Sequence, residues 1–270
     1  MRNRFDSEYI QAELERIGRG VETPLQGFLI GGGAMAFREL KDATKDIDLV
    51  VTTGDTLGRL QTSLQEGGYE IVKRPGDEYD ALGAQRILEN EDGCRIDIFN
   101  QQVVDKLVLS HGMRERSESL LNVGGLSVSL VSTEDIFLFK AVAGRTDDIE
   151  DLFVLYQTAL DFNVIEAELR HQIELLGQDL FVTFVNEALV ELEERYNITT
   201  PITDTVTEIT IRIYQELEVL HEIDESSTVS ELHVALDLPP DDIEAAIRSL
   251  EQKEVIAVDD NQLTKNSSTL

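Results

Sequence analysis

The chain has 270 residues, 41% of them hydrophobic, enough for one large domain or two modest ones with a buried core. Its 53 acidic residues face only 23 Lys and Arg, giving a formal net charge of −30, and the acids run along the whole chain rather than forming a tail. A single cysteine excludes an internal disulfide framework and a cysteine zinc cage, no apolar run nears the roughly 18 residues of a membrane span, and the charged start lacks a signal-peptide pattern, so a soluble cytoplasmic protein is expected.

The elements follow from periodicity and turn signals. Ile10, Leu14 and Ile17 recur at helical spacing and predict a helix over 7–17. A short apolar strand at 27–30 runs into Gly31-Gly32-Gly33, after which 34–40 can open a helix. A second strand is expected at 47–52 and a helix at 56–64, closed by Gly67-Gly68. YEIVK, AQRILEN and CRIDIFN read as strands, the last two forming a hairpin across Glu91-Asp92-Gly93, and LSVSLVS at 126–132 alternates as a strand should. From Thr133 the pattern turns helical, with helices expected over 134–142, 147–160, 165–176 and 180–196, then a break at Pro201 and a further helix over 207–221. The end of the chain reads as helix, turn, helix and a two-strand wing around 255–263, followed by a loose tail. The expected fold class is α/β (α+β): a mixed sheet with flanking helices over 1–132, a helical region over 133–200 and a separate C-terminal domain over 201–270.

Asp46-Ile47-Asp48 on a strand places both carboxylates on one face, because side chains alternate with period two. Two adjacent carboxylates repel unless a cation lies between them, and Mg²⁺ favours a few carboxylates completed by water and phosphates. Asp97, central in CRIDIFN, supplies a third carboxylate if the two strands are neighbours, enough for a two-metal site. The three glycines at a strand end permit close backbone approach, and the helix start behind them offers amides to phosphate oxygens. Each residue also has a plainer role: Asp46 as a cap, Asp48 as a solvent-facing strand residue, Asp97 as an ion-pair partner of Arg95, and the glycines as a turn.

Glycines followed about a dozen residues later by DID, with a further strand aspartate, resemble the DNA polymerase β-type nucleotidyltransferase superfamily. LIGGGAMAFRELKDATKDIDLVV together with STEDIFLFKAVAGRTDDIEDL is similar to the minimal nucleotidyltransferases associated with prokaryotic toxin–antitoxin systems, over roughly residues 25–160. The resemblance implies a nucleotidyltransferase-fold sheet and a Mg²⁺-dependent transfer of a nucleoside monophosphate from a nucleoside triphosphate to an acceptor hydroxyl of RNA, protein or a small molecule. It implies that Asp46, Asp48 and Asp97 hold two Mg²⁺ ions (Mn²⁺ as an alternative) and that Gly31, Gly32 and Gly33 cradle the triphosphate. Lys140 and Arg145 then approach the phosphates, their plainer alternative being ion pairs with Asp147, Asp148 and Asp151. Many active members carry Ser after the first glycine of the pair, whereas Gly33 and Ala34 stand here, leaving the phosphates to backbone amides.

His111, His171, His221 and His233 lack ligand spacing, and Cys94 shares the alternation of Ile96 and Ile98, which assigns it to the core. Glu78 and Asp80 are either cleft-lining or solvated. The C-terminal run resembles a winged helix–turn–helix with Leu232, Leu236, Ile243, Ile247, Leu250 and Ile256 as its core. Its second helix opens Pro240-Asp241-Asp242 with Arg248 as the nearby cation, so homodimerisation or protein docking is favoured over DNA binding. The acidic composition resembles that of cytoplasmic proteins of salt-loving archaea, where molar salt hides self-repulsion. The competing reading is a catalytically inactive nucleotidyltransferase-fold binding protein or winged-helix regulator.

Overall fold

A computed structural model describes residues 3–72, 86–103, 106–223, 227–259 and 261–266. Glu78 and Asp80, the outer ends of two expected strands (Lys73, Ala84 and Gln85) and tail residues 267–270 lie outside the described residues. Helix α1 (Ser7–Gly20) starts where the Asp6 carboxylate accepts from the Tyr9 amide, and it buries the expected Ile10, Leu14 and Ile17 stripe. Strand β1 (Leu25–Ile30) passes directly into α2 (Gly31–Phe37), three residues earlier than the composition of GGG suggested. The glycines are therefore the first turn of the helix rather than a loop before it.

Strand β2 (Asp46–Val51) and helix α3 (Gly54–Glu66) follow, then β3 (Glu70–Ile71), β4 (Arg86–Glu89) and β5 (Arg95–Asn100). A small ribbon, β6 (Gln102–Val103) with β7 (Leu107–Val108), leads through α4 (His111–Arg116) to the hairpin of β8 (Glu118–Val123) and β9 (Leu126–Leu130). Among the described residues, seven strands form one mixed sheet in the order β3-β4-β5-β2-β1-β9-β8. β1 and β2 are antiparallel, whereas β2 runs parallel to β5 and β1 parallel to β9. The expected hairpin of β4 and β5 is present, with Gly93 at φ +77° in its turn. Strand β8 and the ribbon were not legible beforehand, because short, partly exposed strands lack a strong alternation.

The second half of the chain is helical: α5 (Thr133–Ala143), α6 (Thr146–Tyr156), α7 (Phe162–Leu176), α8 (Phe181–Tyr196) and α9 (Thr203–Glu222). Asn197, left-handed at φ +55°, ends α8 before the Pro201 break. α9 begins four residues before the expected start and serves two cores. Val206, Ile209 and Ile213 complete the large core of the sheet and helices, while Val219 belongs to a second cluster. That cluster gathers Leu232 of α10 (Val229–Ala235), Ile243, Ile247 and Leu250 of α11 (Pro240–Gln252), Ile256 of β10 (Ile256–Asp259) and Leu263 of β11 (Gln262–Lys265). Leu236 packs against it only partly buried. Lys253, just past α11, bonds Asp179 at 2.9 Å and also Glu216 of α9, so a charged contact joins the two parts.

Candidate active site

The site grows from the meeting of β1, β2 and β5. Ile30, the last residue of β1, lies opposite Asp48. Gly31 follows at φ +62°, and a Cβ there would lie under 3 Å from a carboxylate oxygen of Asp48, with Asp48 Cγ at 3.3 Å. Glycine alone suits both the backbone conformation and the contact. At Gly32 a Cβ would meet the Thr44 hydroxyl at 2.6 Å, and Thr44 is fixed by two backbone hydrogen bonds to Phe5. The missing side chains thus let the start of α2 sit directly against the acidic strand. Among the described residues no side chain caps α2 at Ile30.

Asp46 and Asp48 share one face of β2, each keeping part of its surface open, while Ile47 and Leu49 are buried on the other. The parallel register sets Asp46 beside Arg95 and Asp48 beside Asp97. The three expected carboxylates are therefore brought to adjacent positions. Asp97, however, is fully buried, and both its oxygens accept from Arg95 Nη2, at 3.0 and 3.3 Å. Among the described residues, no group of three or more His, Cys, Asp or Glu side chains closes into a metal-holding cluster.

Burial raises the Asp48 pKa well above the usual carboxylate range, and the charges of Asp46 and Asp97 push it further; Arg145 and Lys140 oppose this without reversing it. A carboxylate pair so crowded gains from a cation between its members. Asp46 and Asp48 therefore fit a divalent ion in charge and donor type, oxygen ligands on one strand face.

Lys140 on α5 is buried with its ammonium between Asp148 (2.6 Å) and Asp151 (2.7 Å) of α6. Burial disfavours its charge, but the two carboxylates outweigh that and raise its pKa. Lys41 bonds Asp151 from the other side at 2.7 Å. Arg145 precedes α6 and is half-exposed; its Nε donates to Asp148 at 2.7 Å. Its pKa is also raised: burial works against the charge, and Asp148, then Asp48 and Asp46, overcome it. Both sequence-predicted cations thus act on the acidic row, Lys140 as a fixed internal charge and Arg145 from a position open to solvent. Their acidic anchors are Asp148 and Asp151, while Asp147 pairs with Lys45 at 3.3 Å. Sequence reasoning missed Lys41 and Thr44, which carry no local motif and reach the site only through tertiary packing.

The α/β fold thus brings a glycine-entered helix against paired strand carboxylates, with cations held nearby. The chain belongs to a family described as nucleotidyltransferase of unknown function (DUF6036), whose model matches residues 9–178. Among solved structures it is similar to JHP933 from Helicobacter pylori, at 16% identity, covering 76% of this chain and 89% of that one with a TM-score of 0.35. A second H. pylori structure, of a candidate nucleotidyltransferase, shares 15% identity over 76% of this chain and 90% of that one, with a TM-score of 0.34. No curated protein matches the chain significantly.

Proposed function

We propose that the protein transfers a nucleoside monophosphate from a nucleoside triphosphate to an acceptor hydroxyl, using Mg²⁺ held at Asp46 and Asp48. The observation that carries this reading is the contact of Asp48 with Gly31, which sets the uncapped start of α2 beside the acidic face of β2. In the proposed reaction the amides of Gly31, Gly32 and Gly33 orient the phosphates, and Arg145 approaches them from the open side. Lys140 stays in its carboxylate clamp and biases the local field. Mg²⁺ held at Asp46 and Asp48 would supply positive charge against the negative charge that builds on the α-phosphate. Asp97, buried beside Asp48, holds Arg95 and adds its charge behind the acidic pair. The hydroxyl oxygen bonds to the α-phosphorus, the bond to the β-phosphate bridging oxygen breaks, and pyrophosphate leaves while the hydroxyl proton passes to a base or water.

The acceptor in this reading is RNA or a protein, and a toxin–antitoxin role fits the resemblance of residues 25–160. The C-terminal unit is read as a winged helix that docks a protein or a second copy rather than DNA. Asp241, Asp242 and Glu244 open its second helix, and Arg248 is engaged with Glu244 at 3.4 Å. A halophilic archaeal origin accounts for the net charge of −30. One observation favours the inactive binding-protein reading instead: Asp97 is already bonded to Arg95.

Equilibrium binding of each α-labelled nucleoside triphosphate, in molar KCl with Mg²⁺, tests the site. Asp46→Asn/Asp48→Asn should weaken binding by at least about tenfold, or 1.4 kcal/mol. Equal binding by the variant and wild type would remove these carboxylates from the site.

A further inference from the structure

We propose that Arg95 fills the place of a second metal ion, so that the site takes one divalent cation rather than two. This rests on the nucleotidyl-transfer reading of Asp46 and Asp48 and specifies how that site is charged. The four strand positions form a two-by-two block: Asp46 beside Arg95, and Asp48 beside Asp97. Within it, Arg95 Nη2 bonds both oxygens of Asp97, and the two side chains are each only 1% exposed. Long side chains on a surface can swing aside for a metal. Arg95 is buried instead, next to Asp97 on its own strand and bonded to it.

The charges agree with one ion. Within the block three carboxylates meet one guanidinium, and Arg145 and Lys140 add positive charge to its field, so a first divalent cation already offsets the excess. A second ion bridging Asp48 and Asp97 would have to share oxygens with the guanidinium, placing +2 beside +1 in a poorly screened site where such repulsion is strong. In a two-metal site, one ion lies by the attacking oxygen and the other by the leaving oxygen. Here the guanidinium supplies a permanent positive charge beside the acidic pair, and Asp46 and Asp48 would hold the single ion. Asp97 is then a positioning residue that fixes Arg95 and is not itself a metal ligand.

The test counts bound Mn²⁺ by electron paramagnetic resonance in molar KCl, with an α,β-methylene triphosphate analogue present. Surface acids are corrected for by subtracting the Asp46→Asn/Asp48→Asn variant. The expected difference is one Mn²⁺ per chain, and Asp97→Asn, which alters a neighbour of the ion and none of its ligands, should keep that one-ion count; loss of the ion in this variant would make Asp97 a ligand and overturn the proposal. A difference of two ions per chain would overturn the proposal and leave the nucleotidyl-transfer reading standing. No difference would overturn both. Should Asp97→Asn fail to fold, the wild-type count decides by itself.

Discussion

Replacing Gly31 by Ala probes the junction on which the site depends. Alanine at φ +62° costs about 1–2 kcal/mol for the left-handed backbone. The added methyl would lie under 3 Å from an Asp48 carboxylate oxygen and 3.3 Å from its Cγ, so the carboxylate or the first turn of α2 must shift. Overpacking of that kind adds about 1–3 kcal/mol, for a total of roughly 2–5 kcal/mol. Gly58→Ala is the control: Gly58 lies within α3, its φ is not positive, and a Cβ there meets nothing within 4 Å. Alanine should stabilise at that position by about 0.5–1 kcal/mol. Urea unfolding of both variants at fixed molar KCl reads these values. In an Asp48→Ala background the steric part disappears and the backbone part remains, so the double-mutant cycle should show at least about 1 kcal/mol of coupling. Equal effects of Gly31→Ala and Gly58→Ala, or no coupling to Asp48, would refute the contact.

Other predictions follow from buried charge. The raised Asp48 pKa means that the folded state holds its proton at pH values where the unfolded chain, with a pKa of about 4, has lost it. The Asp48 contribution to folding stability in chelator should therefore be fully present below that unfolded value and be lost as pH rises through the folded one; Asp48→Asn should remove this component from the urea-midpoint profile, and wild-type and variant profiles that stay parallel would contradict the assignment. Lys140→Met removes the cation shared by Asp148 and Asp151 and should cost about 3 kcal/mol in chemical unfolding, the low end for a broken buried pair because Arg145 and Lys41 remain. A loss under about 1 kcal/mol would show that the clamp is dispensable. Burial, with the charge of Glu13 adding to it, pushes the Cys94 thiol up to about 12, so a disulfide reagent at pH 8 should label it in urea and spare it in the native protein.

The fold was legible where one face is strongly apolar. The Ile10, Leu14 and Ile17 stripe, the β2 alternation and the two C-terminal helices each bury the residues that their spacing selected. Boundaries failed where a local rule met a tertiary contact. GGG reads as a loop, yet Asp48 and Thr44 occupy the space its side chains would need and the helix begins there. The acidic row was legible as separate motifs, since period-two alternation puts Asp46 with Asp48 and Arg95 with Asp97. What the chain did not reveal is the register between β2 and β5, which decides that Arg95 and Asp97 both stand beside the acidic pair. A spacing of two on a strand says which face a residue shares and nothing about its neighbour across the sheet. The clamp on Lys140 was visible only as an alternative, because choosing between phosphate and carboxylate partners requires the packing of α5 against α6.

The most direct test of the central claim is nucleotidyl transfer itself. Purified protein in molar KCl with Mg²⁺ would be incubated with each α-labelled nucleoside triphosphate in turn, together with total RNA and cell protein, beside the Asp46→Ala/Asp48→Ala variant. The account predicts label on an RNA or protein band from the wild type alone. A folded wild type that binds the nucleotide and transfers no label with any of them would contradict it and identify the chain as a nucleotide-binding protein.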